Sequence, residues 1–202
     1  MSTGAENMTD STELNTPAFP LKTKLGDGTR ILIRPLQPED RADLLRGFEK
    51  LSIGSRRFRF LTPIRKLSKY QLNSLTEVDQ LGHVAIGVRD VGRQGKPGVA
   101  VGRFVRLEEE ARTAEFAVTV IDEYQNRGIG TLVIELLMKA AEERGIDVLR
   151  GFLLDDNQKM IRLLVRFGAR IKRESGNVLQ ADLPVGQTVT EPKSTAVAID
   201  GK

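Results

Sequence analysis

Apolar and polar positions along the chain change rhythm several times, from a period of two to one between three and four and back again. Arg30 to Leu36 alternates as a half-buried strand does. Pro38-Glu39-Asp40 then opens a stretch whose apolar Leu44, Leu45, Phe48 and Leu51 fall at helical spacing. The pattern predicts a second helix from Ser68, its cap, to about Val78. Three β-rich segments follow, His83 to Val88, Val99 to Leu107 and Ala114 to Ile121, parted by the turns RDVGRQGKPG and EEEART, and they read as an antiparallel meander. Ile129, Leu132, Val133, Leu136, Leu137 and Ala140 then mark the clearest helix, Ile129 to Arg144, with Gly145 as its stop. A strand at Val148 to Leu154, a helix from Asn157 to Phe167 ended by Gly168, and a hairpin through Ser175-Gly176-Asn177 complete the order. Hairpins and crossovers together predict an α/β fold: a mixed, mostly antiparallel central sheet flanked by helices on both faces.

The two ends break this pattern. Residues 1–18 and 185–202 are rich in small polar side chains and poor in large apolar ones, so both are expected to be disordered tails around a folded unit at 19–184. With 202 residues, 40% of them apolar and 29% charged, one domain can bury a core unaided by disulfides. The chain has no Cys, which removes disulfides, thiolate metal sites, iron–sulfur clusters and a cysteine nucleophile. A single His, His83, rules out His-rich zinc sites and, at the head of a strand, reads as a hydrogen-bonded structural residue; no metal is expected. Neither an 18-residue apolar run nor a basic-then-apolar N-terminus occurs, so a cytoplasmic location without membrane contact is expected. The formal charge of +4 resolves into −3 on residues 1–18, zero on 185–202 and +7 on the body. A basic body favours an anionic partner, which could be a phosphorylated cofactor, nucleic acid or an acidic protein surface.

Candidate chemistry gathers in one loop. Between the strand AEFAVTVI and the strongest helix lies Asp122-Glu123-Tyr124-Gln125-Asn126-Arg127-Gly128-Ile129-Gly130-Thr131. A strand feeding a glycine-containing turn that starts a helix leaves backbone N–H groups unpaired at the positive end of the helix dipole, which suits phosphate. Gly128 and Gly130 let backbone approach a ligand, and Arg127 adds positive charge. Two glycines alone are equally compatible with an ordinary turn. A G-x-x-x-x-G-K-[ST] loop is absent, and a G-x-G-x-x-G fingerprint fails because its third glycine would fall at Val133. What remains is Q-x-x-G-x-G, Gln125 to Gly130.

With that loop, and over roughly residues 29–182, the chain resembles the GNAT N-acetyltransferases, whose Q/R-x-x-G-x-G/A loop holds the pyrophosphate of acetyl-CoA. The likeness is nearest to the GNAT domain joined to acyl-CoA synthetase-like domains in bacterial protein lysine acetyltransferases. Arg59-Phe60, Leu75 to Asp79 with His83, Ala114 to Val120, and Asp156-Asn157 with Leu163, Leu164 and Gly168-Ala169 carry it. No synthetase or cyclic-nucleotide domain fits in 202 residues, so a stand-alone enzyme is expected.

The resemblance implies the GNAT (acyl-CoA N-acyltransferase) fold, acetyl-CoA as cosubstrate, and direct transfer to a primary amine, a protein lysine first and a small-molecule amine second. A non-catalytic acetyl-CoA sensor is the alternative of a different class. Val118, Thr119 and Val120 would pair with the pantetheine arm, and Gln125, Asn126, Arg127, Gly128, Ile129, Gly130 and Thr131 would cradle the pyrophosphate. Asn157 would touch the cofactor, although a helix N-cap needs the same residue type. Glu115, by spacing alone a solvated strand-end charge, would be the base that takes the proton of the attacking amine. Many relatives place a Tyr acid where this chain has Leu164, which leaves the general acid unassigned. The run Ser55 to Phe60 mixes Arg with aromatics as single-stranded nucleic-acid binders do, but with aromatics at only 5% it is expected to be a substrate-side loop instead. Sequence leaves the acceptor's identity, the acyl preference, the oligomeric state and the regulator open.

Overall fold

The computed structural model describes residues 19–186, so the expected N-terminal tail and all but two residues of the expected C-terminal tail lie outside the described residues. In chain order the elements are β1 (Leu21–Lys24), β2 (Arg30–Pro35), α1 (Arg41–Glu49), α2 (Ile53–Phe60), α3 (Lys69–Thr76), β3 (His83–Asp90), β4 (Gly98–Arg106), β5 (Thr113–Val120), α4 (Ile129–Glu142), β6 (Val148–Leu154), α5 (Gln158–Arg166), β7 (Arg170–Ser175) and β8 (Val178–Pro184). They form a sheet ordered β1-β2-β3-β4-β5-β6-β8-β7. Every neighbouring pair is antiparallel except β5 with β6. The mixed, mostly antiparallel sheet expected from the order of elements is what forms.

Strand alternation assigns the two faces. On β4, Gly102 and Phe104 lie under α4, where Val133 and Leu137 approach the sheet. The intervening Arg103 points the other way, and its Nη2 donates to the carbonyls of Ser74 and Leu75 at the end of α3. By register, β5 divides likewise: Phe116 and Val118 belong to the α4 face, Glu115, Ala117 and Thr119 to the face of α1, α2 and α3. Ile129, Val133, Ile134 and Leu137 of α4 join Ile31, Ile33, Phe104 and Leu149 in one buried cluster. Burying each such side chain contributes about 1.5–3 kcal/mol, which is why a helix with this apolar stripe docks where it does.

Two elements depart from the sequence reading. β1 is too short to leave a periodic signal. The segment Ser55 to Phe60, expected as a loop, is the body of α2. Its start is set by Ser52, whose Oγ accepts from Ser55 N at 3.1 Å. The helix escaped notice because arginines fill its inward positions, so it has no apolar stripe.

One feature of the sheet positions everything that follows. β5 and β6 pair only at Thr113, Ala114 and Glu115, opposite Val148, Leu149 and Arg150. Beyond that point β5 stays with β4 as far as Val120, and β6 stays with β8 as far as Leu154, so the sheet opens into a fork. At its apex the Phe116 ring lies over Gly151: a Cβ at 151 would sit 2.8 Å from Cε1 and 3.2 Å from Cζ. Gly151→Val is therefore expected to lower stability by about 1–3 kcal/mol through overpacking, although β-branched side chains otherwise favour strands. Urea denaturation measures this, and an unchanged or raised midpoint would show that the ring is free to move aside.

Candidate functional site

The fork opens into a cleft of about 930 Å³. Its walls are β5 from Phe116 to Val120, β6 from Gly151 to Leu153, the turn after β5, the first turns of α4 and α5, and one face of α2. Since β6 has left, the β6-facing backbone groups of residues 116–120 have no strand partner. An extended, amide-bearing ligand satisfies such groups as a strand would.

At the mouth of the cleft lies the turn singled out in the sequence. Asn126 at φ 62° and Gly128 at φ 84° are both left-handed, a conformation that suits Asn and Gly best. The two reversals wind the chain so that the N–H groups of Asn126, Arg127, Gly128, Ile129, Gly130 and Thr131 all lack a hydrogen-bond acceptor among the described residues. Consecutive free N–H groups at the start of a fourteen-residue helix form a concave anion site. The turn is anchored on both sides. Gln125 Nε2 donates to Ser55 Oγ at 3.1 Å and to the Val120 carbonyl at 3.2 Å. Asp122 accepts from Ser52 N at 2.9 Å, Ser52 Oγ at 2.7 Å and Ser55 Oγ at 3.0 Å. Burial opposes ionisation of Asp122, but these bonds outweigh it and hold the carboxyl below the usual aspartate range.

Val118, Thr119, Val120, Gln125, Asn126, Gly128, Gly130, Thr131 and Asn157 all line the cleft. Ile129 is a core residue whose side chain faces away, leaving only its N–H for the site. Arg127 also turns aside: its guanidinium lies over the Tyr124 ring at 4.8 Å and reaches Asp27 Oδ2 at 3.4 Å. Asn157 caps α5, accepting from Met160 N at 3.3 Å, and also lines the cleft, so its capping role does not take it away from the site. Leu164 is only 1% exposed, an apolar wall where a hydroxyl acid would otherwise stand. The Tyr124 hydroxyl is already committed, donating to Asp90 Oδ2 at 2.8 Å.

Ser55, Phe58 and Arg59, within the segment expected to lie on the substrate side, do line the cleft, whereas Ser52 and Gly54 at the start of α2 and Gly151, Phe152 and Leu153 of β6 were not singled out from the sequence. The Ser52/Ser55 spacing was the available signal, since a serine that caps a helix can also hold a neighbouring carboxylate. Arg56 and Arg57, expected to face solvent or acidic surface, are largely spent within the protein. Arg56 donates to the carbonyls of Leu51, Arg65 and Glu49 and lies over the Phe48 ring. Arg57 Nη1 crosses the cleft to Asp156 Oδ2 at 2.7 Å.

Glu115 sits at the closed end of the fork, one residue before the cleft lining begins. Its side chain is exposed and makes no hydrogen bond or ion pair among the described residues, and Arg59 is near enough to feel its charge. His83 is structural, with Nε2 2.6 Å from Arg103 Nη2. Burial first, then the Arg103 charge, lower its pKa, so it accepts as a neutral ring. Among the described residues no group of three or more acidic, His or Cys side chains could hold a metal, and no helix is long and apolar enough to cross a membrane.

The model for the acetyltransferase (GNAT) domain matches residues 30–170. The acetyltransferase Pat of Mycolicibacterium smegmatis is 33% identical over 173 residues, 86% of this chain and 51% of that protein. An acetyltransferase of Pseudomonas aeruginosa is 34% identical over 124 residues, 60% of this chain and 64% of that protein. The chain thus spans about half to just under two thirds of these relatives' lengths. Among solved structures, the GNAT domain of S. lividans PAT superposes with a TM-score of 0.76 at 27% identity, covering 84% of this chain and 99% of that one. The acetyltransferase of Salmonella typhimurium solved with acetyl-CoA shares the fold at 17% identity, with a TM-score of 0.59, over 82% of this chain and 99% of that one. Fork, turn and family model agree: the chain belongs to the GNAT N-acetyltransferases, on the branch that resembles the Pat protein acetyltransferases.

Proposed function

We propose that this protein transfers an acetyl group from acetyl-CoA directly to a primary amine, with a protein lysine side chain as the acceptor. The observation that carries this reading is the run of free N–H groups from Asn126 to Thr131 at the mouth of a strand fork. A pyrophosphate on those groups directs the pantetheine arm down the fork, beside Thr119 and Val118, and brings the thioester toward Ala117 and Glu115. The names of the Pat relatives support the choice of protein lysine.

A lysine amine, with a reference pKa of about 10.4, is mostly protonated at neutral pH and cannot attack until it loses that proton. Glu115, exposed and unpartnered, takes it directly or through a water. The amine nitrogen then bonds to the thioester carbon, the carbon–sulfur bond breaks, and coenzyme A leaves as thiolate. With Leu164 apolar and the Tyr124 hydroxyl held by Asp90, the thiolate draws its proton from solvent or from the amine's own remaining proton. The chain has no cysteine to carry an acetyl intermediate, which makes transfer a single displacement within a ternary complex.

Gly130→Glu puts a side chain and a negative charge into the pyrophosphate site. Calorimetry should show acetyl-CoA binding to the natural protein and at least about tenfold weaker binding to the variant, since loss of one charge-assisted bond is worth that much. Equal affinities would remove the loop from the site.

Glu115→Gln is nearly isosteric and leaves the turn untouched, so fold and acetyl-CoA affinity should persist. Acetyl transfer to a lysine peptide should fall by roughly 10² to 10⁴, the worth of a positioned general base. Raising the pH from about 7 toward 10 should rescue the variant in part, because the neutral fraction of the acceptor grows as its pKa is approached. A variant as fast as the natural protein at neutral pH would take Glu115 out of the mechanism.

A further inference from the structure

A second cavity, of about 100 Å³, lies on the α1, α2 and α3 face of the sheet and meets the cofactor cleft at Arg59, Ala117 and Thr119. Its walls are largely apolar, with Leu44, Phe48, Leu51, Phe60, Leu67 and Leu75 among them. Four arginines nevertheless border it. Two are neutralised: Arg34 and Arg89 share Asp40 at 2.6 and 2.9 Å, and Arg89 also pairs with Asp43. The other two, Arg59 and Arg103, have no carboxylate within ion-pair distance among the described residues.

Arg103 is 7% exposed. Among the described residues its bonds all leave from Nη2, to the carbonyls of Ser74 and Leu75 and to His83 Nε2, while the buried Nε has no partner there. Capping α3 accounts for Nη2 and leaves the rest of the guanidinium idle. Arg59 makes no hydrogen bond among the described residues; its guanidinium lies 5.0 Å from the Phe60 ring centre, and Glu115 acts on it only at longer range. Burial first, and then the nearby Arg59 charge, push the Arg103 pKa down to about 10, which leaves it a cation at neutral pH; burial lowers that of Arg59 too, whose guanidinium stays charged as arginines in proteins do. Two uncompensated cations beside an apolar cavity are costly to bury, and an incoming anion relieves that cost.

We propose that Arg59 and Arg103 form a carboxylate-binding site beside the transfer centre, so that one substrate carries a short chain ending in a carboxylate. The inference rests on the reading of direct transfer from a CoA thioester to an amine and changes one partner in it: a carboxylate-bearing acyl group in place of acetyl, or a small amine in place of the protein lysine. A cavity of this size holds a few carbons and a carboxylate but not a peptide. Ala117, with only a methyl group, leaves the passage from the thioester position open. The carboxylate then belongs either to the acyl group of the CoA thioester or to a small amine acceptor. In both cases the chemistry is unchanged: the carbon–sulfur bond breaks, the amide bond forms, and the amine proton passes to Glu115.

The test uses the full chain in two arms. In the first, calorimetry compares succinyl-CoA with butyryl-CoA, its uncharged counterpart in chain length, with acetyl-CoA as reference. In the second, kcat/KM for transfer from acetyl-CoA is compared for 4-aminobutyrate and butylamine. One arm should favour the carboxylate probe by about tenfold or more, the worth of a charge-assisted hydrogen bond. Arg59→Met should bring that ratio close to one, and Arg59→Lys should restore part of it. Arg59 makes no hydrogen bond whose loss would unfold the protein, and a melting curve checks that the variants are folded. A preference in the first arm assigns the carboxylate to the acyl donor, and in the second to the acceptor. Ratios near one in both arms, or a ratio that survives Arg59→Met, would overturn the carboxylate site while acetyl-CoA binding leaves the acetyltransferase reading intact. Failure to bind acetyl-CoA and to transfer to either amine would overturn both.

Discussion

The parting of β5 from β6 after Glu115 and Arg150 is the constraint on which the rest of the molecule turns. A sheet interior normally satisfies every N–H and C=O in its ladder, and an unpaired edge in the middle of a domain is costly unless something covers it. Here the divergence is held from both sides, by the unbroken pairing of β5 with β4 and of β6 with β8, and the Phe116 ring fills the apex over Gly151. The energetic cost of the open strand edges is offset by the core that α4 builds beneath them. The same helix supplies, at its N-terminus, the free N–H groups at the mouth of the opening. One amphipathic stripe thus secures the fold and aims the anion site.

Helix α2 shows how a charged segment can close a site without an apolar stripe. Its arginines are divided among tasks according to what each meets: Arg56 meets backbone carbonyls, Arg57 meets Asp156 on the far wall, and Arg59 meets no acceptor among the described residues. Ser52 and Ser55 bind the start of the helix to Asp122, which ties the α2 wall to the turn after β5. An exposed pair such as Arg57 with Asp156 contributes little to stability by itself, about 0–1 kcal/mol. Its value lies in where it is, bridging the two lips of the cleft.

Most of the architecture was legible in the residues because the elements that matter carry strong periodicity. Ile129 to Ala140 could be little else than a buried helix face, and the β3, β4 and β5 meander is bounded by unmistakable turns. The turn was legible as a candidate site through the Q-x-x-G-x-G spacing from Gln125 to Gly130, which carries more than two glycines at a strand-to-helix junction do by themselves. Two things were hidden. The α2 helix hides because it is held largely by polar contacts of Arg56, Arg57 and its Ser52 cap, which hydrophobic patterning cannot register. The fork hides because pairing is not a local property: nothing in the residues of β6 says where its partnership with β5 ends. Side-chain direction was out of reach too, which is why Arg127, a natural candidate for a phosphate contact, is found stacked on Tyr124.

The neighbourhood of Glu115 joins the site's two charges in one argument. On the proposed mechanism, an acceptor amine reaches the centre as an ammonium ion, attracted by Glu115, which has no competing partner among the described residues. Arg59 stands close enough to interact with that same carboxylate. A fixed cation beside the arriving ammonium favours its neutral form, as like charges disfavour each other's ionised states. Attraction to Glu115 brings the ammonium in but by itself favours the charged pair, and the Arg59 charge also favours the ionised carboxylate; the arginine therefore promotes transfer only as far as it acts more strongly on the nitrogen than on the base.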